Sequence, residues 1–237
     1  MPPEWVEDFP RLYDLFCQSV KQNEMNYFIG IEEQLKNPLN RKKYEILEKD
    51  LEVLDDIAWQ SLKQKILKDN YLTIRDDLRG WYQLFNAFSE AKGYLFLKSE
   101  NCTEIYFIPK VNTRTPDLCG KYKDKKILLE VKTVNRSNNN LFWIKENSNF
   151  NSGHMTAREV ENGMSDFLKN KIISSIISAK RQLCEYACIG VIRKIVYLVI
   201  TLDNTTALDS RNIKECEVFI DKQGDDQVEV KHCFLDW

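Results

Sequence analysis

Two acids and one lysine occupy positions where the sequence predicts a buried strand and the segment leading to it. The stretch 127–134, ILLEVKTV, is aliphatic and β-branched, which is typical of a strand covered on both faces. Glu130 and Lys132 interrupt this stretch, and strand alternation places their side chains on one face. Burial of either charge without a partner is costly. Together with Asp117, they are the first candidates for chemistry in this chain.

The residues around Asp117 predict how it reaches Glu130. Asp117 follows a proline, which favours extended backbone, and precedes the turn-forming segment 120–126, GKYKDKK. This pattern predicts a β-hairpin whose arms bring Asp117 alongside Glu130. Two carboxylates at one spot repel each other unless a cation lies between them, and hard oxygen ligands favour Mg²⁺ or Mn²⁺. Beside such an ion, Lys132 would orient or deprotonate an attacking water, or stabilise charge on a phosphate.

The same residues have a purely structural explanation. Glu130 and Lys132, two positions apart on an edge strand, would simply face the solvent. Asp117 weighs against this explanation, because its position on the facing arm adds a second acid to the same spot.

At these residues the chain resembles a known family. Pro116-Asp117 followed by Glu130-Val131-Lys132 resembles the signature of the PD-(D/E)xK nucleases, the restriction-endonuclease-like superfamily. The resemblance implies that Asp117 and Glu130 bind the metal and that Lys132 assists hydrolysis of a phosphodiester. The main-chain carbonyl of Val131 can supply a further oxygen, so the pattern is compatible with two metal ions.

The resemblance also implies a fold and covers residues 74 to 202. The expected core is α/β and consists of a helix, three antiparallel strands, a helix and a last strand. An N-terminal helical region precedes it. We therefore predict a helical region over residues 1–72 and a nuclease-like domain over residues 73–237.

Composition is that of a soluble globular protein. The chain has 237 residues, a net charge of −2, 43% hydrophobic and 30% charged residues. It has no apolar stretch near the ~20 residues that span a bilayer, and its start lacks the features of a signal peptide. We expect a cytoplasmic protein without a membrane partner. Its 7 cysteines lack the paired spacing of a disulfide framework or a zinc site.

The N-terminal region is predicted to be helical throughout. Apolar residues recur at helical spacing over 4–36, with an interruption near 26–30, and again over 41–68. Nothing in this region suggests chemistry. Its expected role is to brace the core or to shape a substrate or dimer surface, which leaves a homodimer open.

The first core helix is expected to supply a further acid to the site. This helix is predicted over 73–92, with Thr73 as its N-cap and Gly93 as its end. By resemblance, such a helix supplies one more metal ligand, for which Asp77 is preferred over Glu90. A capping role at the start of the helix explains Asp77 equally well.

The remaining elements follow from apolar patterns. A long amphipathic helix is predicted from Met164 to Cys188, and it carries Gln182, which by resemblance supports the catalytic residues. An exposed helix glutamine is the alternative reading of Gln182. Strands are predicted at Tyr94–Lys98, Glu104–Pro109, Val191–Leu202, Cys216–Ile220 and Gln227–Leu235. Of these, Val191–Leu202 is expected beside the catalytic strand, and the polar segment 135–162 is expected to be a substrate-contacting loop or disordered.

Nucleic-acid binding requires a local basic patch rather than a basic protein. The lysines of the hairpin tip and the basic residues near the later helix are candidates for phosphate contacts, with a solvated surface as the alternative. The candidate residues are Lys121, Lys123, Lys125, Arg136, Lys180 and Arg181.

These observations predict a Mg²⁺- or Mn²⁺-dependent deoxyribonuclease, and by resemblance a restriction-like endonuclease acting on DNA. Two alternatives remain open at this point. One is a catalytically silent member of the fold that binds nucleic acid or a protein, and the other is a ribonuclease.

Overall fold

A computed structural model gives the fold of the chain in two compact units. One unit comprises Met1–Phe107 with Leu118–Tyr122, and the other comprises Ile108–Asp117 with Lys123–Trp237. Helices and strands of both directions confirm the expected α/β class. Among the described residues, no helix is long and apolar enough to cross a membrane. The structure describes residues 4–19, 26–73, 81–110, 114–134, 164, 166–202 and 210–236.

The first unit is mainly helical, as the N-terminal pattern predicts. Its described residues include two strands, β1 (Thr103–Phe107) and β2 (Leu118–Tyr122), which pair antiparallel, with Thr103 opposite Lys121 and Phe107 opposite Leu118. After a short 3₁₀ helix at Glu4–Val6, its elements are α1 (Pro10–Ser19), α2 (Ile31–Lys36), α3 (Pro38–Glu52), α4 (Asp56–Lys68), α5 (Tyr82–Ser99), β1 (Thr103–Phe107) and β2 (Leu118–Tyr122).

Helix α5 corrects two predictions. It continues through Gly93 to Ser99, so the predicted strand Tyr94–Lys98 is the last part of this helix. The reason is its burial pattern, because Ala91, Tyr94 and Leu97 are buried three residues apart, which is helical spacing. A continuous apolar run concealed that spacing.

The predicted start of this helix also differs. The described helix begins at Tyr82 and not directly after Thr73. Thr73 instead forms an isolated β-bridge with Asn26, and its hydroxyl donates to the carbonyl of Asn70 at 3.0 Å. Asp77 lies outside the described residues. Its alternative, Glu90, is buried in α5 and pairs with Lys65.

A buried acid secures the start of α1. The Glu48 carboxylate accepts from the main-chain N–H groups of Arg11 and Leu12 at 2.7 and 2.9 Å. Both donors belong to the first turn of α1, where N–H groups have no partner within the helix. Burial raises the pKa of Glu48, and the two hydrogen bonds oppose that effect. Glu48 therefore acts as a distant cap for α1.

We expect Glu48→Ala to lower the free energy of unfolding by about 2–3 kcal/mol, because it leaves one buried and one partly buried donor unsatisfied. Glu52→Ala, at an exposed position of the same helix, should change it by less than about 0.5 kcal/mol. Urea unfolding of both variants measures the difference. Equal values for the two would contradict the capping role.

The chain turns between β2 and β3 (Lys125–Val134) at two residues. Lys123 and Asp124 have φ angles of 48° and 63°, the left-handed conformation that tight two-residue turns require. The turn is therefore shorter than the predicted segment 120–126 and consists of these two residues. Gly120 lies inside β2, where an added Cβ would be 3.2 Å from Cys102 Cβ. Close packing, rather than turn formation, explains this glycine.

The described residues of the second unit form three parallel strands and two helices. Strand β4 (Val191–Leu202) pairs with β3 (Lys125–Val134) on one side and β5 (Glu229–Asp236) on the other, and Glu130, Val196 and Val230 stand in register. The predicted placement of Val191–Leu202 beside the strand that carries Glu130 and Lys132 is confirmed, as is the long helix before it. The elements are β3 (Lys125–Val134), α6 (Asp166–Glu185), β4 (Val191–Leu202), α7 (Ser210–Asp221) and β5 (Glu229–Asp236).

One strand prediction in this unit is wrong. Residues Cys216–Ile220 belong to helix α7. A strand would bury Cys216, Val218 and Ile220 together, but Val218 is 48% exposed while the other two are buried. Burial every fourth residue is the helical pattern. The last predicted strand is confirmed as β5, which extends the parallel group beyond β4.

Candidate metal site

Asp117 is fixed next to the middle of β3. Its main-chain N–H donates to the Leu129 carbonyl at 3.1 Å, and its own carbonyl accepts from the Ile108 N–H at 2.9 Å. Its Oδ2 accepts from the Val131 N–H at 2.9 Å. In a regular ladder a facing main-chain carbonyl would accept that N–H, so the Asp117 side chain takes the place of a strand partner. The structure thus brings Asp117 alongside Glu130, as the turn pattern predicts.

Glu130 is the buried centre of the site. It is 2% exposed, and its Oε1 accepts from Lys132 Nζ at 2.5 Å. This ion pair confirms that Glu130 and Lys132 lie on the same face of β3. Because Glu130 is buried and β3 pairs with β4, the alternative of two charges on a solvent-facing edge strand is contradicted.

Gln182 of α6 connects the acids to the segment before Asp117. Its Nε2 donates to Glu130 Oε2 at 2.9 Å and also to the main-chain carbonyl of Thr115. Helix α6 packs on β3 and β4, which brings this side chain over Glu130. The alternative of an exposed helix glutamine is therefore contradicted. Gln182 holds one carboxylate oxygen of Glu130 while Lys132 holds the other.

We expect Gln182→Ala to lower the free energy of unfolding by about 1–2 kcal/mol, because two buried acceptors lose their donor. Ser178→Ala, at an exposed position of the same helix, is the matched control and should have almost no effect. Chemical denaturation of both variants tests the prediction. Equal free energies of unfolding for Gln182→Ala and Ser178→Ala would show that the hydrogen bonds of Gln182 do not stabilise the fold.

Electrostatics at the site disfavour a free carboxylate. Burial raises the pKa of Glu130 to about 8, and repulsion from Asp117 adds to this rise while Lys132 opposes it. Two carboxyl groups this close cannot both ionise readily without a cation. A divalent ion would supply the missing positive charge and displace the proton.

The donor set agrees with a hard, hydrated ion. Asp117 and Glu130 offer carboxylate oxygens, while the described residues contain no group of three or more His, Cys, Asp or Glu that could hold a metal. Two protein acids are enough for Mg²⁺, which keeps several waters and shares its shell with substrate phosphates. The Val131 carbonyl stays a predicted ligand. The contact that the structure shows for the Val131 main chain at the site is the hydrogen bond from its N–H to Asp117 Oδ2.

Some of the basic residues predicted to contact phosphate already form ion pairs within the protein. Lys121 pairs with Glu104 at 2.5 Å. Lys180 Nζ donates to Asp225 at 2.5 Å and to a main-chain carbonyl, and this contact lowers the pKa of Asp225 to about 2. Structural ion pairs therefore account for two of the six residues. Exposed positions are occupied by Lys123, Lys125 and Arg181, while Arg136 and the predicted loop 135–162 lie outside the described residues.

Thr115 is a residue of the site that sequence reasoning misses. It is buried, and its carbonyl accepts from Gln182. In the sequence, only its position two residues before Asp117 points toward the site.

The site therefore consists of two acids, a lysine and a glutamine that meet within one unit of the fold. Their functional assignment depends on this chemistry and on the motif that carries it. Comparison of the chain with protein-family models, curated proteins and solved structures finds no match.

Proposed function

We propose that this protein is a Mg²⁺- or Mn²⁺-dependent nuclease that hydrolyses phosphodiester bonds in DNA. The observation that carries the proposal is the meeting of two buried acids, Asp117 and Glu130, with the partly buried Lys132. Burying ionised groups does not favour folding, and replacing them with apolar residues often stabilises a protein. A site of this composition is therefore better explained by chemistry than by stability.

Each side chain has a separate task in the proposed reaction. Asp117, oriented by the Val131 N–H, and Glu130, oriented by Gln182, would hold the ion. The bound ion would polarise the phosphate and lower the pKa of a coordinated water. Lys132 lies against Glu130, where its ammonium can orient the attacking water and stabilise negative charge on the phosphate.

The order of elements supports the likeness to the restriction-endonuclease-like core. A helix, α5, is followed by β1, β2 and β3, then by α6 and β4. This is the expected order of helix, three strands, helix and strand. The likeness favours DNA as substrate and internal cleavage as the reaction, in a restriction-like role, by analogy with the family.

Incubation with several nucleic acids tests the proposal. Wild type and Lys132→Ala are added to supercoiled plasmid, linear duplex, single-stranded DNA and RNA, each with Mg²⁺, Mn²⁺ or EDTA. We expect wild type to cut plasmid DNA only with a metal, and Lys132→Ala to fail. Lys214→Ala, which removes an exposed lysine of α7, should cut like wild type.

Other outcomes would replace the proposal. Cleavage in EDTA, or equal cleavage by Lys132→Ala, would contradict this site as the catalyst. Binding without cleavage would favour a silent binding module. Cleavage of RNA alone would identify a ribonuclease.

A further inference from the structure

The side-chain hydroxyl of Thr115 is a buried polar group that the described residues leave without a hydrogen bond. Thr115 is 4% exposed, and its Oγ1 has no hydrogen-bond partner among the described residues. A buried hydroxyl left unpaired costs about 1–3 kcal/mol. Thr115 therefore has a polar group whose partner is still to be identified.

The position of Thr115 limits what that partner can be. Its main-chain carbonyl accepts from Gln182 Nε2, which also donates to Glu130. Thr115 precedes a proline, so its backbone is restricted to extended conformations. Thr115 also lies two residues before Asp117 in the chain. It is therefore linked to Glu130 through Gln182 and is close in sequence to the second acid.

The composition of the site indicates a water as the partner. Two carboxylates leave most of the coordination shell of Mg²⁺ or Mn²⁺ to waters and phosphate oxygens. Such waters donate hydrogen bonds to nearby acceptors, and a threonine hydroxyl both donates and accepts. Groups that hydrogen-bond the waters and ligands around an ion orient those ligands. They thereby raise the affinity of the site for the ion.

We propose that the Thr115 hydroxyl hydrogen-bonds an ordered water in the shell of a divalent cation held by Asp117 and Glu130. Thr115 is then a positioning residue for that water. This inference rests on the proposed metal site, but it concerns a residue that is not part of the Pro116-Asp117 and Glu130-Val131-Lys132 motif.

Thermal unfolding at increasing Mn²⁺ concentrations measures the affinity without recourse to activity, because an ion that binds the folded state raises the midpoint. The proteins are wild type, Thr115→Val, Thr115→Ser and Asp117→Asn. We expect Thr115→Val to weaken Mn²⁺ binding by about tenfold, with no loss of stability in EDTA, since valine has the same shape without the unpaired hydroxyl. Thr115→Ser, which keeps the hydroxyl, should bind Mn²⁺ within about twofold of wild type.

The possible results separate the two claims. If Mn²⁺ does not raise the midpoint of wild type, the metal site itself fails. If the rise is lost in Asp117→Asn but unchanged in Thr115→Val, only the role of Thr115 fails. If Thr115→Val is unstable or unfolded in EDTA, the hydroxyl serves the fold and the inference is overturned.

Discussion

Asp117→Asn is expected to reduce metal-dependent DNA cleavage by about a thousandfold, because loss of one ligand charge removes several kcal/mol of stabilisation. The amide has nearly the same shape, and its oxygen can still accept from the Val131 N–H, which Asp117 holds at 2.9 Å. The fold should therefore persist while the ion is lost. Initial rates of plasmid nicking at saturating Mg²⁺ give the measurement.

Asp124→Asn is the matched control for this change. Asp124 lies in the turn before β3 with a φ of 63°, a conformation that asparagine adopts readily. The control should nick plasmid at the wild-type rate. If both variants nick at that rate, Asp117 is not required, and the proposed metal site is wrong.

Glu130→Gln is expected to stabilise the metal-free protein at alkaline pH while abolishing cleavage. The pKa of Glu130 is about 8 in the folded state, against 4.5 for an ordinary glutamate. Between these values the unfolded chain releases a proton that the folded protein retains, so the stability of wild type falls as pH rises toward 8. Glutamine does not titrate and avoids this loss. At pH 9 in EDTA we expect a gain of about 1–3 kcal/mol, reduced by the lost ion pair with Lys132.

Urea unfolding in EDTA at pH 5, 7 and 9 measures this difference. The advantage of Glu130→Gln should grow with pH, whereas Ser178→Ala, which removes no ionisable group, should show no such trend. If the difference in free energy of unfolding between wild type and Glu130→Gln is the same at pH 5, 7 and 9, Glu130 ionises normally in the folded protein. The test needs no assumption about the substrate.

The site was the most predictable part of this protein. Charges inside an aliphatic strand are conspicuous because burial makes them costly, and strand alternation is enough to pair Glu130 with Lys132. A turn-forming segment of suitable length then returns Asp117 to the same place. These are short-range rules, so one sequence suffices to apply them.

Long-range contacts were not predictable in the same way. Glu48 caps α1 from another helix, and no spacing in the sequence indicates that contact. The unpaired hydroxyl of Thr115 is likewise visible only once the neighbouring atoms have been placed. Both depend on tertiary packing between segments that are distant or irregular in sequence.

The two wrong strands share a physical cause. Tyr94–Lys98 and Cys216–Ile220 are short runs rich in apolar residues, which fit a buried strand or a helix equally well. Only burial decides between them. In α7 the exposed Val218 between two buried neighbours shows the helical period, and in α5 the buried face continues that of the preceding turns.

Calorimetric titration with Mn²⁺ at pH 8 tests the central claim most directly, namely that Asp117 and Glu130 together hold a divalent cation. We predict saturable binding by wild type, accompanied by proton release as Glu130 ionises. Binding should disappear in both Asp117→Asn and Glu130→Gln and persist in Asp124→Asn. Absence of binding by folded wild type, or binding that survives the loss of either acid, would contradict the account.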